Sequence, residues 1–192
     1  MEIRTYTATD ESAWLKCRVL SFMFCSYATD VLTTKQHYAQ PAIELVAIQD
    51  GRLVGLIDVE CQAKLMTYRD QVGAMVWNLA VLPEYQRMGI AAALWESARK
   101  QLLARRIHYC ELWTQDDVPA NHFYRRQGFR QCPEMTYLRC FLKPGERDVI
   151  LGNYTQRYYV ETYEIQVPFK QKATMIPLCQ QITEVRMYAQ TF

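Results

Sequence analysis

The sequence predicts a mixed α/β fold of the α+β kind: a central, mostly antiparallel sheet with helices on both faces, continued by a C-terminal β/α extension. Three stretches carry that expectation. Gln49-Asp50-Gly51-Arg52 joins two apolar runs, and Asp-Gly in that setting is a strong short-range hairpin signal. From Ala74 to Thr114 a strand pattern gives way to a helical one and then to a strand again, the order of a parallel crossover. After Lys143-Pro144-Gly145 the chain turns to a run rich in tyrosine and β-branched residues.

Bulk properties limit what these elements can build. With 192 residues, 50% hydrophobic and 22% charged, the chain suits one domain plus a modest addition. Residues 1–142 read as that domain, and residues 143–192 as an extension packed on it, too short to bury much core alone. A net charge of +2 and dispersed basic residues make no electrostatic case for nucleic acid; Arg105-Arg106 and Arg125-Arg126 read as solvated helix faces. Cys17, Cys25, Cys61, Cys110, Cys132, Cys140 and Cys179 form no CxxC pair, and an odd number of this kind reads as thiols in a reducing compartment. None of the three histidines stands at metal-ligand spacing, so no metal is expected. No window approaches a membrane span and Met1-Glu2-Ile3-Arg4 does not open a leader, so no membrane partner is expected and the chain reads as cytoplasmic.

Taken in order, Glu2 to Thr7 alternates like a short strand. Thr9 or Asp10 caps a helix whose apolar face is Trp14, Leu15, Val19, Phe22 and Met23. A shorter helical piece is expected within Leu32 to Tyr38, ended by Pro41. The hairpin strands are Ile43 to Ile48 and Leu53 to Val59, and Ala74 to Leu82 follows as a third strand. Leu94, Trp95, Ala98, Leu102 and Leu103 mark one side of a helix, and Tyr109 to Thr114 is the strand after it. Asp116-Asp117 and Pro119 start a short helix that Gly128 ends. Phe129 to Leu142 resumes as strand with Pro133 at a bulge or bend, Val149 to Val167 reads as another, and Ala173 to Tyr188 as a final helix with Pro177 in its first turn.

The turn before the long helix carries the chemistry. A helix N-terminus offers unpaired N–H groups and the positive end of the macrodipole, a place to hold phosphate. Gly89 and Ala91 lack bulk, so a pyrophosphate can approach the backbone, and Arg87 adds positive charge. On Gln86-Arg87-Met88-Gly89-Ile90-Ala91, with Leu79-Ala80-Val81-Leu82-Pro83-Glu84-Tyr85 before it, the chain resembles the GNAT superfamily of acetyl-CoA-dependent N-acyltransferases. The pattern there is Gln or Arg, two residues, Gly, one residue, then Gly or Ala. A second match follows at Asn121-His122-Phe123-Tyr124-Arg125-Arg126-Gln127-Gly128-Phe129. The resemblance covers roughly Ile3 to Leu142 and does not reach the last segment.

The resemblance implies acetyl-CoA as co-substrate, with Gln86, Arg87, Met88, Gly89, Ile90 and Ala91 around its pyrophosphate. Leu79, Ala80 and Val81 would pair with the pantetheine arm like an added strand, and the N–H near Val81 would polarise the thioester carbonyl. Asn121 would meet the arm and the Tyr124 hydroxyl would lie near the sulfur as general acid; without the resemblance, Phe123 and Tyr124 are core aromatics and Gly128 a helix cap. The general base departs from the pattern, because Met75, Val76, Trp77 and Asn78 take no proton efficiently. Glu60, Asp58 and Glu111 on neighbouring strands act directly, through water, or simply face solvent; His37, His108 and His122 have the same two readings. The expected acceptor is a small-molecule amine. Tyr154, Tyr158, Tyr159 and Tyr163 of the extension either wall the acceptor cleft or pack the extension on the domain or on a second subunit of a homodimer.

Overall fold

Asp50 and Gly51 both have positive φ, 51° and 75°, the conformation a two-residue hairpin turn demands, and they join β2 (Ala42–Gln49) to β3 (Arg52–Cys61) as the Asp-Gly pair predicts. The computed structural model describes residues 1–23, 25–28, 30–61, 72–143 and 164–192. Around the hairpin lie β1 (Glu2–Thr5), β4 (Ala74–Val81), β5 (Tyr109–Thr114), β6 (Arg130–Leu142), β7 (Glu164–Pro168) and β8 (Cys179–Thr191). They form one sheet in the order β1-β2-β3-β4-β5-β8-β6-β7. The pairings are antiparallel except β4 with β5, the parallel pair joined by the crossover helix.

Two helices cover opposite faces of the hairpin side of the sheet. Helix α1 (Glu11–Phe22) follows a single turn, Ala8–Asp10, in which Thr7 and Asp10 satisfy each other's orphan groups as a capping box. Arg4 grips Asp10 with two bonds of 2.7 and 2.8 Å, and this guanidinium holds the Asp10 carboxyl well below the usual carboxylate range. The stability this pair adds is present above the ordinary carboxylate pKa and is lost only as strong acid protonates Asp10. Helix α2 (Ile90–Ala104) seats Ile90, Leu94, Trp95, Ala98 and Leu102 on the other face. It comes down over Gly55, where a Cβ would stand 3.0 Å from Ile90 Cγ2 and 3.1 Å from Leu94 Cδ1. The third helix, α3 (Val118–Arg126), is capped by the Asp117 side chain on Ala120 N–H at 2.8 Å.

Two expected helices are absent. Residues 31–41 run without regular structure, and Lys35, 3% exposed, carries its ammonium between Glu44 and Asp58 and over the Tyr6 and Trp14 rings. Lys35 N–H is meanwhile fixed to Glu11 Oε1 at 2.9 Å, so tertiary contacts override a weak helical preference. At the other end, a single α-helical turn, Lys172–Met175, lies between 3-10 turns at Phe169–Gln171 and Ile176–Leu178, and residues 179–191 are strand β8. Thr183, Val185 and Met187 are buried at a period of two, the signature of a strand inside a sheet, which the helical reading overlooked. β8, from the stretch beyond residue 142, lies between β5 and β6 in the sheet. Pro133 falls at the register shift between Cys132 and Tyr137. The tyrosines Tyr154, Tyr158, Tyr159 and Tyr163 lie outside the described residues.

Replacing Gly55 by Ala crowds Ile90, Leu94 and Ala80 O, and is expected to cost about 1–3 kcal/mol, read as a lower urea midpoint at unchanged m-value.

Candidate active site

The site begins where β4 and β5 part. Their ladder runs Ala74↔Cys110, Met75↔Glu111 and Val76↔Leu112 and stops there, although β4 stays paired to β3 as far as Val81. A bulge sits at the parting: Asp58 faces Asn78 and Val59 faces Val76, so Trp77 is the extra residue, and a bulged strand bends and twists. Leu82 N–H bonds Val54 O on β3 at 2.9 Å. By the alternation of an antiparallel ladder, the backbone groups of Val81 and Leu79 point the other way, into the gap beside β5. Ala80, in the same phase as Leu82, turns its backbone groups to β3.

The turn beyond β4 is a single helical turn, Pro83–Tyr85, followed by Gln86, whose amide bonds Val81 O at 3.2 Å. Arg87 and Gly89 have positive φ, 63° and 83°, and this curl turns successive N–H groups toward one side. The first intrahelical bond of α2 is Ala93 N–H to Gly89 O at 3.0 Å, so the N–H groups ahead of Ala93 are left for a ligand. A Cβ at Gly89 would meet nothing within 4 Å; glycine serves the left-handed backbone there and leaves the approach open. Arg87 and Met88 are exposed, Ile90 points into the core, and Ala91 is half-buried.

Asn121, 2% exposed, has every polar atom engaged. Its Nδ2 donates to Gln115 O at 2.6 Å and Asp117 O at 2.7 Å, and its Oδ1 accepts from Tyr188 at 2.9 Å and Arg186 at 3.3 Å. It ties α3 to the end of β5 and to β8. One turn on, Tyr124 packs against Phe123, Phe129 and Tyr188, and burial pushes its hydroxyl pKa up, with Tyr27 and Asp117 adding to the shift. Among the described residues no hydrogen bond reaches that hydroxyl.

The carboxylates named from sequence do not face solvent: Asp58, Glu60 and Glu111 are all buried. Glu60 Oε1 accepts from Gln40 N–H at 2.9 Å and Oε2 from Trp77 Nε1 at 2.8 Å. Asp58 Oδ2 accepts from Tyr38 at 2.9 Å and faces Lys35 at 3.3 Å, while burial raises its pKa. His37, His108 and His122 are exposed, with His108 Nδ1 on Phe192 O at 2.9 Å. Among the described residues no cluster of His, Cys, Asp and Glu is placed to hold a metal, and no helix is long and apolar enough to cross a membrane.

Sequence reasoning missed the cleft at the C-terminal end of β5. Its walls include Tyr27, Asp30, Trp113, Tyr137 and Glu164, and it encloses about 320 Å³. Tyr27 accepts from Gln115 N–H at 2.7 Å and donates to Thr114 at 3.0 Å, so the residues after α1 are pinned to the tip of β5. Arg18 was missed as well, and it had left a signal: a cation four residues from both Trp14 and Phe22, on an otherwise apolar stripe.

Asn121→Ala strips partners from the Tyr188 hydroxyl and from two carbonyls, and is expected to cost about 2–4 kcal/mol in denaturant unfolding.

Comparison with known proteins agrees with this geometry. The family model described as the acetyltransferase (GNAT) domain matches residues 40–131. An uncharacterized N-acetyltransferase of Archaeoglobus fulgidus is 34% identical over 88 residues, 45% of this chain and 59% of that relative, so the chain spans about three fifths of its length. The paia N-acetyltransferase of Thermoplasma acidophilum, solved with coenzyme A, shares the fold at a TM-score of 0.55 and 18% identity, over 69% of this chain and 91% of that one. The ribosomal-protein-S18-alanine N-acetyltransferase of Escherichia coli does so at 0.57 and 16% identity, over 99% and 92%. The match to the acetyltransferase (GNAT) domain spans both the strand that parts from its parallel neighbour and the glycine-headed helix after it, and takes in just under half of the chain.

Proposed function

We propose that this protein is a cytoplasmic N-acetyltransferase that moves the acetyl group of acetyl-CoA to the primary amine of a small molecule. The observation that carries the reading is the stretch of β4 beyond Val76, which pairs with β3 but not with β5 and leads through the turn at Pro83–Tyr85 to the N–H groups heading α2. These features suit the two ends of the cofactor: an amide-bearing arm pairs with the strand edge, and a pyrophosphate with the helix N-terminus.

Acetyl-CoA supplies an activated thioester; the chain's residues bind, orient and hold protons. The backbone N–H near Val81 would polarise the thioester carbonyl as its oxygen gains charge. Transfer would join the amine nitrogen to the acetyl carbon and break the carbon–sulfur bond; the amine proton would pass to solvent, and CoA would leave as a thiolate that takes a proton back from solvent to become the thiol. Tyr124, kept protonated by burial, donates a hydrogen bond to the departing sulfur without giving up its proton, because a thiolate is the weaker base. The cleft walled by Tyr27, Asp30, Trp113, Tyr137 and Glu164 has room for a compact amine and carboxylates to attract it.

A second reading, a CoA-responsive module without turnover, is favoured by one observation: both Glu60 oxygens are committed to Gln40 and Trp77. Release of free thiol across a panel of polyamines, aminoglycosides, amino acids and peptides separates the two readings, since the module gives only background hydrolysis.

Calorimetry should show acetyl-CoA binding that Gly89→Glu weakens by at least about tenfold, because the new side chain brings negative charge to the phosphate site. Tyr124→Phe should lower kcat by about tenfold, one hydrogen bond's worth, with acetyl-CoA affinity kept within twofold.

A further inference from the structure

Arg18 is 5% exposed and reaches in two directions from α1. Its Nε donates to Asn78 Oδ1 at 2.8 Å, on the β4 segment that has left β5. Its Nη1 donates to Asp30 O at 2.7 Å and its Nη2 to Asp30 Oδ2 at 2.9 Å, and the guanidinium stacks on Phe22 at 4.7 Å. Asp30 is half exposed and stands in the wall of the cleft with Tyr27 and Trp113. One buried planar cation therefore spans from the cofactor strand to the wall where an amine would enter.

Resting on the acetyl-transfer reading, we infer that Arg18 is a positioning residue that holds Asp30 in the acceptor cleft and shares its charge. The chemistry requires that sharing. A carboxylate with no counter-ion binds an amine well but stabilises its ammonium form, which has no lone pair for attack. With one oxygen committed to Arg18, Asp30 keeps the other for the acceptor and attracts it with a reduced field. The same side chain registers the cleft wall against Asn78, and so against the strand that would present the thioester.

The surroundings set the background. Across the cleft Arg139, which feels the Asp30 charge, is paired with Glu164, and Tyr27 and Tyr137 add neutral hydroxyls. Behind Asn78 stand Asp58, Tyr38 and Lys35, with Asn78 Nδ2 on the Tyr38 oxygen at 3.1 Å. Asp116, bonded to Ser26 at 3.2 Å, is the remaining acid on this rim. Arg18 is the one cation among these that bonds directly to Asp30 in the described residues.

The test is the pH dependence of kcat for the best amine of the acetylation panel, whose acid limb reports deprotonation of the bound amine. Arg18→Gln should move that limb up by about one pH unit, since the unshielded Asp30 favours the ammonium. Asp30→Asn should move it down by a similar amount and raise the acceptor KM at least tenfold. Acetyl-CoA affinity, measured by calorimetry, should stay within twofold in both. Opposite displacements are not produced by general loosening of the fold. Limbs that stay in place, or move together, in variants that still bind acetyl-CoA overturn the inference and leave acetyl transfer standing. A wild-type protein that binds no acetyl-CoA overturns the transfer reading, and the role of Arg18 with it.

Discussion

Everything distinctive in this molecule follows from two parallel strands that stop pairing. β4 and β5 share three residue pairs and then separate at Val76 and Leu112, with the bulge at Trp77 supplying the bend. A row of unpaired backbone groups inside a sheet is costly unless something satisfies it. The fold keeps the gap open by committing both strands elsewhere: β4 is bonded to β3 along its length, and β5 is bonded to β8 from Tyr109 to Thr114. Neither strand is free to swing back, so the gap is a standing feature that a ligand can complete.

The open gap is maintained on the α1 side by polar groups, not by packing alone. Lys35, Asp58, Tyr38, Asn78 and Arg18 form a connected set of buried charges and hydrogen bonds under the parted strand. Replacing such a set by apolar residues is often neutral or stabilising, so its presence is poor support for a stability role. Its value is directional. Apolar packing tolerates sliding, whereas Arg18 accepts one placement of Asn78 relative to Asp30.

Local chemistry was legible in the sequence where a residue type answers a local demand. Asp50-Gly51 marked its turn because two positive φ values are needed in succession, and Gly89 marked the helix head for the same reason. The amphipathic spacing of Leu94, Ala98 and Leu102 fixed α2. What escaped depended on distant partners. Lys35 does not announce that Asp58, well along the chain, will hold it extended. Residues 182–188 contain good helix formers, and only a position between two strands makes the period of Thr183, Val185 and Met187 decisive. Asn121 was not legible as a hub whose amide is consumed within the protein.

The place of β8 carries a consequence for how the chain reaches this state. Tyr109 finds its partner at Thr191 and Arg130 at Ala189, so two central strands acquire their shared neighbour from the far side of the sequence. Pairings this remote are slow to close, because the connecting loop must surrender its entropy before any bond rewards it. Until then β5 and β6 offer bare edges to any extended peptide. Until residues 179–191 are in place, the half-made sheet keeps those edges open to unwanted pairing.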